Sequence, residues 1–225
     1  GKINMYLETS GDKNPILIDT IVLSENAKIK LGFLTNYLGI KNGDLYNGRL
    51  VSTIDQQLGK LSFVSVRAPI ISRFSTRGAI IELPIEAKMT GSFGGMLGFT
   101  TNETSEKIKI TGDIHLKLIN AFKNGEAIEL TWKKSDTENQ ALLAKSELPY
   151  IFSSPLGFYS SIDIQKKDST TLTIDNEFSA IIHIKGLNQF RAGINYVSNR
   201  FLKRLDSSNF DTKTILYKSS LLINN

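Results

Sequence analysis

Residues 107–118, KIKITGDIHLKL, alternate without a break: Ile108, Ile110, Ile114, Leu116 and Leu118 fall on one side, and Lys109, Thr111, Asp113, His115 and Lys117 on the other. Successive side chains of an extended chain point to opposite faces, so this run predicts one strand of about 12 residues, roughly twice the length usual in soluble sheets. About 9–11 tilted residues carry a β-strand across a bilayer. The same period returns in Ile128/Leu130/Trp132, Phe158/Ile162/Ile164, Leu172/Ile174/Phe178/Ala180/Ile182/Ile184 and Phe190/Ala192/Ile194/Tyr196, with polar residues between. Long amphipathic strands in series point to the wall of a transmembrane β-barrel.

The 225 residues leave room for one large domain or two small ones, and 40% apolar content excludes wholesale disorder. No run of 18 apolar residues marks a transmembrane helix, and GKINMYLETSGD lacks the basic-then-apolar pattern of a signal peptide, so any export signal is expected upstream. The absence of cysteine removes disulfide and thiol chemistry and fits a periplasmic or outer-membrane setting. A net charge of +5 is modest, and the Lys and Arg residues are scattered among acids along the strands. A nucleic-acid surface would gather them on one face beside stacking aromatics, so no nucleic-acid partner is expected.

Residues 14–90 have the texture of an α+β domain. A β-branched run, DTIVL (19–23), precedes helical spacing over 28–40, which stops at Gly39. A second helical period spans Leu45 to Leu61, its end weakened by Gly59. Two strands follow, Ser62 to Phe74 and Ala79 to Met89, joined by a turn at Ser75 to Gly78, giving the order strand, helix, helix, strand, strand. From residue 91 to 225 the helical periods vanish. Turn signals at Thr101 to Glu103, Lys123 to Gly125, Ser135 to Asn139, Ser153 to Pro155, Lys166 to Ser169 and Lys185 to Asn188 cut this part into antiparallel strands. These fall near 92–101, 106–122, 125–135, 140–152, 157–167, 170–185 and 188–203, with an eighth at 212–223. A sheet cannot lie in lipid with a bare edge, because each unpaired N–H or C=O there costs several kcal/mol. The strands must therefore close on something, and the final Leu221 to Asn225 lacks an aromatic end, so a longer barrel is expected.

The segment FLTNYLGIKNGDLYNGRLVSTIDQQLGKLSF (33–63) resembles the helical part of a polypeptide-transport-associated (POTRA) domain, through Tyr37-Leu38-Gly39-Ile40, Gly43 to Asn47 and Leu58 to Phe63. GSFGGMLGF (91–99) looks like the first barrel strand of the outer-membrane protein insertase superfamily of BamA and TamA, surface-antigen type. TGDIHLKLINAFKNGEAIELTWKK (111–134) and LPYIFSSPLGFYSSIDIQKKDS (148–169) are similar to its early barrel strands. The family's arginine-bearing late-loop motif and its late strands have no counterpart here. The resemblance implies a POTRA domain over 14–90 in the periplasm, residues 1–13 as a linker or the end of a preceding POTRA module, and the N-terminal half of an outer-membrane barrel over 91–225. It further implies insertion of unfolded outer-membrane protein clients into the lipid bilayer, with room for accessory lipoproteins and without cofactor or enzymatic activity.

Two places would carry that work. Glycine weakens strand pairing, so the glycine-dense Phe93, Gly94, Gly95, Met96, Leu97, Gly98 and Phe99 would form a weak barrel seam, which the resemblance implies opens sideways to an incoming strand. The alternative for these glycines is a bulge or tight bend. Ser62, Phe63, Val64, Ser65, Val66 and Arg67 offer an edge where a client strand could add by main-chain hydrogen bonds, with Pro69 interrupting one donor; alternatively both edges of this strand are covered. Other chemistry is thin. His115 and His183 fall at polar strand positions and read as solvated lumen residues, and a metal site would need both of them with carboxylates such as Asp113 or Glu177. Ser105/Lys107 is a pairing expected by chance, and 91–99 fails the phosphate-loop spacing. Phe93, Phe99, Phe122, Trp132, Tyr150, Phe152, Phe158, Tyr159, Phe190 and Tyr196 lie near strand ends, as an interfacial aromatic girdle requires. A passive secretion pore of the same superfamily and a soluble β-rich protein enclosing a small ligand remain as the other readings.

Overall fold

The computed structural model describes residues 15–88, 90–101, 108–136, 138–168, 170–185, 187–202 and 210–223. The expected module end at 1–13, the turn at 102–103, the Ser105/Lys107 pair, Met89, Ser169, Gly186 and the last two residues lie outside them.

The N-terminal part runs β1 (Ile18–Leu23), a 3-10 turn (Glu25–Ala27), α1 (Leu31–Leu38), α2 (Gly48–Gly59), β2 (Val64–Val66), β3 (Ile71–Ser75), β4 (Gly78–Leu83) and β5 (Ile85–Ala87). Both helices are shorter than their apolar periods. Lys28 takes a left-handed backbone (φ 45°), which breaks the first period before α1 begins. The Asn47 side chain accepts from the N–H groups of Arg49 and Leu50, so α2 starts at Gly48 rather than Leu45. Gly39 ends α1 at φ 66° with its N–H on Asn36 O, the left-handed cap its sequence predicts.

The two expected strands after α2 are each cut in half, at Pro69 and Pro84. Proline has no N–H to give a ladder, so β3 and β4 pair in one sheet (order β1-β4-β3) while β2 and β5 pair in another. Beneath them lies one core. Phe33, Leu34, Tyr37 and Leu38 from α1 and Val51, Ile54 and Leu58 from α2 pack with Ile18, Ile21, Ile81, Leu83 and Ile85. Residues 51, 54 and 58 share one helical face, and burying each such side chain is worth about 1.5–3 kcal/mol.

The rest is one eight-stranded antiparallel meander: β6 (Ser92–Thr101), β7 (Ile108–Ile119), β8 (Ala127–Lys134), β9 (Gln140–Leu148), β10 (Leu156–Lys167), β11 (Thr171–Lys185), β12 (Asn188–Phe201) and β13 (Thr212–Leu222). Its register carries the alternation around the wall. Ile114 lies opposite Trp132, Trp132 opposite Leu142, Leu142 opposite Ile164 and Ile164 opposite Ile174, one apolar row across five strands. On the other face Lys117 lies opposite Glu129 and Glu129 opposite Lys145. That wet face is the concave one. Arg191 of β12 reaches over β11 and β10 to Glu147 of β9 at 2.9 Å, with its guanidinium 4.3 Å over the Tyr159 ring. Three strand spacings span about 14 Å in a flat sheet, so the two side chains meet only because the wall curls toward them. The sheet is open: β6 and β13 are its two edges and do not pair with each other.

Candidate functional site

Three features frame the site: a glycine-dense edge strand, a junction that clamps the α/β domain to the wall, and open strand edges on the α/β domain.

Strand β6 pairs with β7 through ten consecutive residues, so no bulge interrupts this register. Its other edge is open, and Phe93, Met96, Leu97 and Phe99 are 50–77% exposed. The glycines are not equivalent. A Cβ at Gly95 would stand 2.5 Å from Asp113 O, whereas a Cβ at Gly94 would meet nothing within 4 Å. On β7, Gly112 lies opposite Leu97 and holds φ +147°, and a Cβ there would stand 3.0 Å from Leu97 Cα and closer still to Met96 O. Gly95 and Gly112 thus let two backbones approach, while Gly94 only leaves β6 without a side chain.

The junction is built by turns that neighbouring strands send to one helix. In the β7–β8 turn, Lys123 O accepts from Lys30 N–H at 2.7 Å, and Asn120 Nδ2 donates to Lys28 O at 3.2 Å. The turn is held by buried Glu126, whose carboxylate accepts from the N–H groups of Phe122 and Asn124, and by Gly125, which lies against the Phe33 ring at φ +71°. In the β9–β10 turn, Ser153 O accepts from Asn36 Nδ2 at 2.8 Å. Tyr150, Phe152 and Ser153 all hold positive φ there, turning Tyr150 inward and leaving Phe152 98% exposed. The Tyr150 ring sits edge-on to Phe33 at 5.4 Å and 4.3 Å from the His183 ring. Burial raises the Tyr150 phenol well above its ordinary pKa, with Tyr37 adding to the shift. Tyr150 is therefore a buried junction residue rather than a member of an interfacial girdle. His183, expected in the wet lumen, is only 9% exposed beneath it. His115 is half-buried, with Nδ1 3.1 Å from Thr131 Oγ1. No three potential ligands among the described residues gather into a metal site.

The segment 62–67 is not a single edge. Ser62 and Phe63 belong to the turn after α2, and the Phe63 ring is in the core 5.8 Å from Phe33. Val64, Ser65 and Val66 pair with Ala87, Glu86 and Ile85, while Arg67 N donates to Pro84 O and its side chain ion-pairs with Glu86. Ladder groups alternate, and the bonds of Phe63 and Arg67 to the β5 side direct Ser65 towards β5 and Val66 away from it. The open edge that sequence reasoning missed is β3, at the rim of the larger sheet, with Ile71 44% and Phe74 58% exposed. Pro69 and Pro84 were the signals that could have located it.

By sequence the chain matches no family model and no curated protein. By structure it resembles BamA from Haemophilus ducreyi lacking POTRA domains 1-3, with a TM-score of 0.56 at 13% identity, covering 92% of this chain and 42% of that one. It also resembles CdiB from Acinetobacter baumannii, with a TM-score of 0.50 at 14% identity, covering 91% of this chain and 42% of that one. The chain thus spans less than half the length of these proteins, and the likeness is one of fold: a mostly β chain whose eight-stranded sheet matches a partial BamA-like barrel.

Proposed function

We propose that this chain is the POTRA domain and leading barrel wall of an outer-membrane protein assembly factor, which accepts client strands by main-chain pairing. The observation that carries the reading is β6: an exposed, glycine-dense edge of a long amphipathic meander that follows the α/β domain in the chain. A client strand that pairs there moves its backbone groups from water into an existing ladder and never leaves them bare in lipid. The exchange needs no nucleotide and makes or breaks no covalent bond. The α/β domain stands in the periplasm on this reading, and β3 hands clients on by the same strand addition.

The reading places the apolar face in lipid, and Trp132 reports it. In the full-length parent protein, lipid-borne bromine quenches Trp132, and single cysteines from Ile108 to Leu118 label alternately with a lipid-phase probe and an impermeant reagent. Uniform water labelling would discard the barrel. For client transfer, a cysteine at Met96 forms disulfides with a cysteine in the edge strand of an arriving client, whereas one at Lys213 of β12's far neighbour β13 does not. In the hairpin closed by the Ser75–Gly78 pair, ladder alternation turns Ser72 N–H outward. Ser72→Pro and Val66→Pro then lower client capture while the domain stays folded. Undiminished capture in both would remove docking on the α/β domain.

A secretion pore of the same superfamily is the second reading, favoured by the charged concave face with its Arg191–Glu147 and Lys218–Glu177 pairs. Substrate that crosslinks to Lys145 and Glu177 during transit, and never to Met96, selects it.

A further inference from the structure

Between β5, the start of β6 and the β7–β8 turn lies a cleft of about 300 Å³ that the strand-addition reading does not use. Lys28, Lys88 and Lys123 line it from three separate elements. Their backbones are pinned: Lys28 O accepts from Asn120, Lys88 N donates to Phe63 O at 2.9 Å, and Lys123 O accepts from Lys30 N. Lys28 and Lys123 hold φ of 45° and 65°, a conformation that L side chains rarely adopt. Among the described residues none of the three ammonium groups has an ion-pair partner. Like charges brought together without counterions repel, so a cluster held this way is best satisfied by an anion from outside. A second, independent feature points the same way. Thr90 also lines the cleft, and its hydroxyl, shielded from solvent, has no hydrogen-bond partner among the described residues.

One wall of the cleft is apolar. Leu118 ends the outward row of β7, opposite Ile128, and the cleft opens beside it. Phe93 of β6 and Phe122 of the β7–β8 turn are 77% and 64% exposed. The boundary from lipid-facing apolar residues to lysines is crossed within a few residues, as it is at the depth of lipid headgroups.

We infer that this cleft binds the phosphate of a phospholipid headgroup, with Lys28, Lys88 and Lys123 supplying charge, Thr90 a hydroxyl donor, and Leu118 the start of the acyl-chain track. The inference rests on the membrane placement of the wall proposed above. A bound lipid would tie β5, β6 and the β7–β8 turn together beside the weak seam, so lipid composition would bear on how the edge strand is held.

The test titrates the full-length protein in detergent micelles with dioleoylphosphatidylglycerol and counts bound lipid by native mass spectrometry. The triple variant K28Q/K88Q/K123Q loses affinity by at least about tenfold, since each lysine near a lipid phosphate contributes roughly a few-fold or more. Thr90→Val loses several-fold, and Lys167→Gln, at the far end of β10, changes nothing. Equal binding by the triple variant and the parent overturns the site. Full displacement of lipid by millimolar glycerol phosphate means that the cleft takes free phosphate, which overturns the lipid assignment. Trp132 quenching by brominated lipid in the same samples separates the two levels. Quenching with unchanged lipid affinity fails the cleft alone, and absence of quenching fails the membrane placement with it.

Discussion

Gly94 and Gly95 are adjacent, identical in chemistry and opposite in their expected response to one added methyl group. Alanine at 94 meets open space and removes the excess backbone entropy of glycine, so pairing of β6 gains about 0.5–1 kcal/mol. Alanine at 95 places its Cβ 2.5 Å from Asp113 O, against backbone that cannot rotate away. The strands must then part by several tenths of an ångström over the ten-residue register, at an overpacking cost of about 1–3 kcal/mol. The two variants should thus differ by roughly 2 kcal/mol in the free energy of opening β6, about 30-fold in an equilibrium constant. Because β6 is an edge, it opens without global unfolding, and the fitting assay is hydrogen exchange by mass spectrometry on peptides covering Met96 to Phe99. Gly95→Ala speeds exchange there and Gly94→Ala slows it. Equal shifts in both variants would show that glycine weakens the seam by composition alone and that the close approach to β7 has no energetic role.

Two further expectations concern the α/β domain. Leu58→Ala removes a fully buried side chain from the apolar face of α2 and should lower the domain's stability by about 2–5 kcal/mol in urea unfolding, while Gln56→Ala on the exposed face changes it little. The Tyr37 phenol, whose Oη donates to Gln57 O at 2.9 Å, is pushed up to about 12 by burial. A pKa raised in the folded state means that the unfolded chain ionises first, so this contribution is complete below pH 10 and is lost as the pH rises towards 12. Tyr37→Phe costs about 1 kcal/mol at neutral pH through the lost hydrogen bond, yet flattens the alkaline fall in stability. A parallel alkaline fall in both proteins would assign the loss to other groups, Tyr150 first among them.

The sequence alone determined the strands of the wall and their faces. Side-chain direction along a strand has a strict period of two, so Ile108 to Leu118 and Leu172 to Ile184 declare their faces locally, whatever they pair with. The turn residues set the cuts, and all eight strands lie close to their expected ranges. Gly39 and Gly59 marked helix ends for an equally local reason, the backbone freedom of glycine. Tertiary structure decided what depends on distance in space between residues far apart in the chain. Tyr150, at a turn, read as a girdle aromatic, and only the arrival of Phe33 from 117 residues upstream makes it a buried junction. His183 is dry because Tyr150 covers it, although its strand parity is polar. The different roles of Gly94 and Gly95 follow from how closely β7 approaches, and the three lysines of the cleft, at positions 28, 88 and 123, share no local pattern. Periodicity fixes which way a side chain points, and only packing fixes what it meets.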